Sequence, residues 1–318
     1  MMKKLVSLVL ALMLCLSCVS ALAAEAWTVT CPWAPSGVAA MVNQKAASLS
    51  TTYSQDYVLV ANAEKGDTAT INSWLTKYTE ADPQMCFIGE GMFGITAILD
   101  PERMNFTYDD FKYVENLYSS IFVASARKEL GITSIDALKA YLEEGNQIMV
   151  GTNGATGSEA FLAAALIGAM GYGDQFYLIP YESAAEAAQA VARGEVDIAV
   201  SHQSQILETW QQGGVDVFAA FDGEPIAQGP FKGVEGVGQY GYPYFRNRCF
   251  IFAKAGADEQ KIADLKALYA QILTDEEMVD WLNNTMLLEA DVMTEEEVIA
   301  HIDNVKNIVE EYYDLVAE

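Results

Sequence analysis

The sequence predicts an α/β fold in which helices pack on the faces of largely parallel sheets. Short apolar runs alternate with helical segments along most of the 318 residues, a pattern typical of layered α/β proteins. The clearest stretch is 148–201, where strand, loop and helix occur twice in succession. Glycine and hydroxyl residues occupy both strand-to-helix turns, which is where such folds present backbone N–H groups to a ligand.

The individual elements follow from local patterns. Apolar runs predict strands at residues 27–31, 57–60, 85–88, 113–126, 148–150 and 249–253. Helices are predicted at about 36–50, 68–80, 161–170, 258–273, 275–284 and 294–316. Ser36 is the expected N-cap of the first helix, and Ser183 with Glu186 forms a capping box for the helix after residue 183.

Two extended crossings near Phe122 and Phe250 predict two lobes around a hinge. Lobe 1 would comprise residues 24–122 and 250–318, and lobe 2 would comprise residues 123–249. Such an arrangement places a ligand in the cleft between the lobes. A single doubly wound domain with a helical tail is the alternative.

The first 23 residues have the features of a signal peptide. Lys3 and Lys4 precede an apolar run of 12 residues, Leu5–Leu16, which is short for a membrane span. Ala21-Leu22-Ala23 is a cleavage site, so we expect the mature chain to begin at Ala24 in an extracytoplasmic compartment, the periplasm or the cell surface. The alternative is lipidation at Cys18, which follows a partial lipobox. The mass of the mature N-terminus separates the two.

Composition excludes several classes of function. The formal charge is −26, and it becomes −28 when Lys3 and Lys4 are removed, which argues against nucleic acid and anionic membranes as partners. Cys31, Cys86 and Cys249 are odd in number and lack a C-x-x-C pair, so neither a disulfide framework nor a zinc site is expected. Buried free thiols are the expected state of these cysteines.

The order of motifs resembles the solute-binding proteins of tripartite tricarboxylate transporters. It runs from a signal peptide through Pro-Trp-x-Pro-x-Gly at residue 32, Asn-x-x-x-Gly at 62 and Gly-x-x-Gly-x-x-Gly-Ser at 151 to Pro-Tyr at 180 and Gly-x-Val-Asp at 194. The resemblance covers nearly all of the mature chain. It implies a two-lobe, periplasmic-binding-protein-like (type II) fold with C-terminal helices, and a monomer that carries a small carboxylate to a membrane permease without a cofactor or metal.

The resemblance also implies which residues form the binding loops. The positions are Trp33, Ala34, Pro35, Ser36, Gly37, Thr68, Thr152, Asn153, Gly154, Thr156, Gly157, Ser158, Tyr181, Glu182, Ser183, Ser201, His202 and Gln203. Helix N-termini supply free N–H donors and partial positive charge, hydroxyls add neutral donors, and glycines allow close approach. An anion can therefore be bound without a lysine.

Several positions depart from the family pattern. Val38, Ala39 and Ala40 replace the glycine-rich continuation and Asp of the first loop, and Glu182 stands where a lysine is common. If Glu182 faces the cleft, it favours a zwitterionic ligand; otherwise it stabilises the helix that follows. Arg246 and Arg248 either reach the cleft as anion ligands or form surface ion pairs.

Three other functions remain as alternatives. A nucleotide-binding enzyme is disfavoured, because Gly151, Gly154 and Gly157 give G-x-x-G-x-x-G and no G-K-[ST] is present. A hydrolase is disfavoured, because His202 and His301 lie in no recognisable triad or metal site. A sensor that passes its ligand-bound form to a signalling receptor cannot be separated from a transport protein by sequence.

Overall fold

The structure is a computed structural model that describes residues 24–316; the predicted signal peptide and Cys18 lie outside this range. The strands are β1 (Glu25–Cys31), β2 (Tyr57–Ala63), β3 (Gln84–Gly89), β4 (Phe111–Ser120), β5 (Phe122–Arg127), β6 (Ile148–Asn153), β7 (Phe176–Tyr181), β8 (Ile198–His202), β9 (Val215–Ala220) and β10 (Asn247–Lys254). The α-helices are α1 (Val38–Tyr53), α2 (Thr68–Lys77), α3 (Ala97–Leu99), α4 (Ile135–Glu143), α5 (Ser158–Ala169), α6 (Ala184–Ala192), α7 (Gln203–Gln211), α8 (Glu259–Leu273), α9 (Glu276–Asp280), α10 (Glu295–Glu311) and α11 (Tyr313–Val316). π-helical turns at Met92–Thr96 and Trp281–Met286 adjoin α3 and α9.

The two sheets share one topology. The first has the order β2-β1-β3-β10-β4, with β1 parallel to β2 and β3, and β10 antiparallel to both of its neighbours. The second has the order β7-β6-β8-β5-β9, with β6 parallel to β7 and β8, and β5 antiparallel to both of its neighbours. We name the two halves of the molecule lobe 1 and lobe 2 after these sheets. The predicted two-lobe α/β fold is confirmed.

The chain passes between the sheets twice. β4 ends at Ser120 and β5 begins at Phe122, so the first crossing is a single residue, Ile121. The second crossing precedes β10, which begins at Asn247. Both changes of sheet therefore come slightly earlier than residues 122/123 and 249/250, and α11 packs on α5 of lobe 2. The exact extent of each lobe stays a proposal.

The alanine-rich helix α5 is buried on nearly all sides. Eleven of its twelve residues are buried, whereas a surface helix buries only one stripe. The second sheet and the C-terminal helices enclose α5, and its small side chains allow them to approach it closely. Phe161 and Leu162 share one apolar core with Val305 and Val309 of α10. The N-terminus of α5 is thereby fixed rigidly in lobe 2.

Strand β3 lies in the middle of the first sheet and is almost entirely buried. All of its residues after Gln84 are buried, as expected for a strand covered on both faces.

The predicted buried free thiols are confirmed, because Cys31, Cys86 and Cys249 are all free and buried. Burial raises the pKa of the Cys31 thiol to about 12. These cysteines therefore serve as small apolar core residues.

Candidate functional site

A cavity of about 790 Å³ lies between the lobes. It is formed at the carboxyl ends of strands from both sheets, among them β1, β3, β6, β7 and β8. Open α/β sheets bind ligands in the crevice outside the carboxyl ends of their strands. The volume suits a small organic molecule.

Helices α1 and α5 present their N-termini to this cavity from opposite lobes. The N-cap of α1 is Gly37 and the N-cap of α5 is Gly157, and neither makes a side-chain capping hydrogen bond. Gly37, Val38 and Ala39 line one wall, and Gly157 with Ser158 lines the other. The first N–H groups of a helix have no partner within the helix, so both ends offer donors and partial positive charge. The prediction that Ser36 caps α1 is wrong, because the helix begins one residue later and Ser36 is exposed.

Glu90 is a fully buried acid at the floor of the cavity. It follows β3, and its carboxyl group accepts hydrogen bonds from Ser158 Oγ at 3.1 Å, Asn247 Nδ2 at 2.9 Å and the Arg248 backbone N–H at 2.8 Å. Burial raises the pKa of Glu90 to about 7, although these hydrogen bonds act in the opposite direction. The bond to Ser158 joins lobe 1 to lobe 2.

Glu159 is a second buried acid, in the first turn of α5. It is 6% exposed, and burial raises its pKa to about 7. Its own backbone N–H and Asn153 donate hydrogen bonds that lower the pKa, whereas the nearby charge of Glu90 raises it further. Two carboxyl groups from different lobes therefore lie close enough to influence each other's ionisation.

Two cationic side chains bridge the lobes at the rim. Arg103 donates from Nη1 to Thr156 Oγ1 at 2.9 Å and from Nη2 to Asp67 Oδ2 at 3.1 Å. Lys65 pairs with Glu182 at 2.9 Å, and this contact lowers the pKa of Glu182. The rim pairs are exposed to solvent, which screens them, so each contributes little to stability. Together with the Glu90–Ser158 bond, they hold the lobes in contact around the cavity.

His202 lies where the crossing strand β5 meets β8. It is buried, its Nδ1 lies 2.8 Å from Ser120 Oγ, and its ring centre lies 4.6 Å from that of Phe122. Burial lowers the pKa of His202 to about 3. The ring is therefore neutral at physiological pH and adds no positive charge to the cavity.

The structure brings many of the predicted site residues to the cavity. Those that line it are Trp33, Ala34, Gly37, Asn153, Gly154, Thr156, Gly157, Ser158, Tyr181, Glu182, Ser183 and His202. Pro35, Ser36, Thr68, Thr152, Ser201, Gln203, Arg246 and Arg248 do not line it. Pro35 is exposed beside the cavity wall, whereas Thr68, Ser201 and Gln203 are buried behind it, and Thr152 Oγ1 donates to the Gly154 carbonyl. Contact of any of these residues with a ligand stays a prediction.

The side chains of Arg246 and Arg248 lie away from the cleft and are held in ion pairs. Arg246 donates to Asp222 at 2.8 Å and to Glu289 at 2.6 Å. Arg248 donates to Asp291 at 2.6 Å. Both line a second cavity of about 520 Å³ beside α10. Of the two alternatives for these arginines, the structure shows the ion pairs, and neither side chain lines the interlobe cavity.

The sequence did not reveal several polar residues that line the cavity. Glu90, Asn247 and Arg103 all line the cavity, yet none belongs to the glycine-spaced loops. A signal existed for Glu90, since Gly89-Glu90-Gly91 places an acid directly after a buried strand. Arg103 lies on a short 3₁₀ turn, Pro101–Arg103, with no comparable pattern.

Within residues 24–316, no helix combines the length and the apolar character that crossing a membrane requires. The same residues contain no group of three or more His, Cys, Asp or Glu side chains arranged to hold a metal ion.

Comparison with known proteins identifies the family. Residues 55–307 match the model of the tripartite tricarboxylate transporter family receptor, TctC. The chain belongs to this family. The TctC receptor fold is also found in solved structures of low sequence identity. Rpa4515 of R. palustris with adipate superposes with a TM-score of 0.80 at 15% identity, covering 91% of this chain and 96% of that one.

Two further structures agree with this TctC fold. MatC (Rpa3494) of Rhodopseudomonas palustris with bound malate gives a TM-score of 0.75 at 17% identity, covering 92% of this chain and 98% of that one. The periplasmic binding protein BugD gives a TM-score of 0.77 at 16% identity, covering 92% of this chain and 98% of that one. No curated protein sequence matches this TctC receptor significantly.

Proposed function

We propose that this receptor captures a small organic carboxylate in the interlobe cleft outside the cytoplasm and delivers it to the permease subunits of a tripartite transporter. The observation that carries the proposal is the convergence of two uncapped helix N-termini, from α1 and α5, on one cavity. A carboxylate that enters a cleft loses water, and charge-assisted hydrogen bonds from free N–H groups replace that solvation. Contacts to the ligand from both lobes would favour the closed form, because a ligand shifts conformations only by differential affinity.

Family membership supports the transport role. Receptors of this family belong to transporters, which favours delivery to a permease over a sensor role. Related structures carry adipate and malate, which supports a carboxylate as the ligand class. The predicted signal peptide supports export, and intact-mass measurement of the mature chain tests cleavage at Ala24 against lipidation of Cys18. We also expect the receptor to be a monomer, and light scattering tests this expectation.

A proline substitution at the N-terminus of α1, with a control at another helix, tests the binding mode. Val38→Pro removes one N–H donor at the first position of α1, where proline is well tolerated and where Gly37 already has the extended conformation that proline requires. The matched control is Glu276→Pro, at the exposed first position of helix α9, whose N-cap Asp275 is also extended. Both variants keep every intrahelical hydrogen bond.

Calorimetry of the mature chain with malate, adipate, citrate and glutarate measures the effect. A lost hydrogen bond to a charged ligand costs about 1.5–3 kcal/mol, so Val38→Pro should weaken binding roughly ten- to a hundredfold. Glu276→Pro should bind as the unmodified chain does. Equal affinities for both variants would remove the α1 N-terminus from the site.

A further inference from the structure

The cavity contains more acidic side chains than a carboxylate site requires. Six acids line it, at Asp67, Glu90, Asp100, Glu159, Glu182 and Glu186, against two cationic side chains, Lys65 and Arg103, in the part of the chain that the structure describes. Arg103 pairs with Asp67 at 3.1 Å and lies 3.8 Å from Asp100. Lys65 pairs with Glu182. Both cations are therefore engaged at the rim.

The two buried acids have no cationic partner among the described residues. Glu90 is held by neutral donors, Ser158 Oγ, Asn247 Nδ2 and the Arg248 backbone N–H. The groups that lower the pKa of Glu159 are its own N–H and Asn153, and neither carries a charge. A buried carboxylate without a countercharge is costly, and it is normally compensated by a cation or by a proton.

A third group at the same place has an unused acceptor. Asn247 lines the cavity, is 7% exposed and donates its Nδ2 to Glu90 Oε1. Its Oδ1 is buried and accepts no hydrogen bond from any described residue. Buried polar atoms are nearly always satisfied, so this oxygen indicates a missing donor beside Glu90.

Glu159 also limits where an anion can bind. Its carboxyl group lies in the first turn of α5, where its own N–H lowers its pKa, and Glu159 Oε2 lies 3.5 Å from the position that a Cβ on Gly157 would have. An acidic side chain therefore already occupies part of the α5 N-terminus. The first turn of α1 has no such side chain, since Val38, Ala39 and Ala40 are apolar. An anionic group is thus favoured at α1 and a cationic group near α5.

We propose that the ligand is an amino-carboxylate whose protonated amino group binds between Glu90, Glu159 and Asn247 Oδ1, while its carboxylate binds at the first turn of α1. This inference rests on the proposed carboxylate-binding function and adds the chemical class of the ligand. An ammonium group carries three N–H donors, one of which would meet the unpaired Asn247 Oδ1, and its positive charge would compensate the two buried carboxyl groups. A hard metal cation fits less well, because Ca²⁺ and Mg²⁺ require about six or more oxygen ligands.

Matched ligand pairs test the inference. Calorimetry on the mature chain would compare glutarate with L-glutamate, adipate with 2-aminoadipate, butyrate with 4-aminobutyrate and hexanoate with L-lysine. We expect the aminated member to bind at least about tenfold more tightly in one or more pairs. Glu90→Gln and Glu159→Gln should remove that preference, since an amide keeps the shape but not the charge. Glu310→Gln, at an exposed position on α10 outside the cavity, is the control and should keep the preference.

The outcomes are distinguishable. Tighter binding of the unaminated acid in every pair that binds would overturn the amino-carboxylate inference and leave the proposed carboxylate function standing. A preference for the aminated ligand that survives both Glu90→Gln and Glu159→Gln would also overturn it. Binding by no member of any pair would overturn both the inference and the proposed function. Circular dichroism of each variant verifies that it is folded.

Discussion

Replacing Glu159 with Gln should stabilise the unliganded protein at neutral pH but not at acidic pH. In the folded chain the pKa of Glu159 is about 7, against an ordinary value of 4.5. Below pH 4.5 the carboxyl group is protonated in both the folded and the unfolded state, and it then resembles the glutamine amide. Between pH 4.5 and 7 the unfolded chain loses the proton while the folded chain keeps it, so stability falls as pH rises.

The magnitude follows from the rise in pKa. A rise of about 2.5, at about 1.36 kcal/mol for each pKa unit, corresponds to about 3 kcal/mol at pH 7.5. This is an upper value, because Glu90 and Glu159 titrate as a coupled pair and removal of one charge eases ionisation of the other. Glu159→Gln should therefore gain up to about 3 kcal/mol of unfolding free energy relative to the unmodified chain between pH 4.5 and 7.5.

The measurement must compare variants, because two buried histidines change the stability with pH in the direction opposite to that of the two buried acids. Burial lowers the pKa of both His202 and His301 to about 3. Between pH 6.5 and 3 the unfolded chain therefore binds protons at these histidines and the folded chain does not. Their contribution to stability is complete above pH 6.5 and is lost as pH falls toward 3. Over much of the window from pH 4.5 to 6.5 it cancels the effect of Glu90 and Glu159. The pH profile of the unmodified protein alone would hide both effects.

Urea denaturation at pH 4.5, 5.5, 6.5 and 7.5 measures the difference in unfolding free energy. The control is Glu310→Gln, at an exposed position on α10, whose difference should stay nearly constant with pH. A Glu159→Gln difference that is also constant, or one that falls with pH, would refute the account of Glu159 as a buried acid that is protonated in the unliganded form.

Two further predictions concern closure and the core. Gly91→Val should hold the lobes apart and weaken carboxylate binding, because a Cβ at Gly91 would lie 2.7 Å from Ser158 Oγ of the other lobe. Small-angle scattering should then show a larger radius of gyration. The control is Gly173→Val, where a Cβ meets open space, and it should change neither the binding nor the radius of gyration. Leu162→Ala should cost about 2–5 kcal/mol of stability in urea denaturation because Leu162 is fully buried, and the exposed Ile299→Ala should cost less than about 1 kcal/mol; similar losses for both would contradict the proposed packing of α5.

The sequence predicted the architecture well because local patterns determine it. Buried strands appear as continuous apolar runs, and α5 appears as an alanine-rich segment after a glycine-spaced loop. The position of Gly154–Ser158 at the cavity follows from strand–loop–helix order, since the loop after a parallel strand lies at the edge where ligands bind. These features depend on residues adjacent in sequence.

The electrostatics of the site could not be predicted in the same way. Glu90 and Glu159 are 69 positions apart in sequence and influence each other only because the lobes meet. The partners of Arg246, Asp222 and Glu289, lie 24 and 43 positions away along the chain, so the exclusion of Arg246 from the cleft had no local signal. Long-range pairing of charges is a property of the tertiary structure.

A crystal structure of the mature chain with its tightest-binding small carboxylate tests the central claim most directly. We predict that the ligand lies in the interlobe cavity and contacts both lobes. Its carboxylate oxygens should lie about 2.7–3.2 Å from the N–H groups of the first turn of α1. A ligand bound outside this cavity, or one that contacts a single lobe and leaves the α1 N-terminus free, would contradict the account.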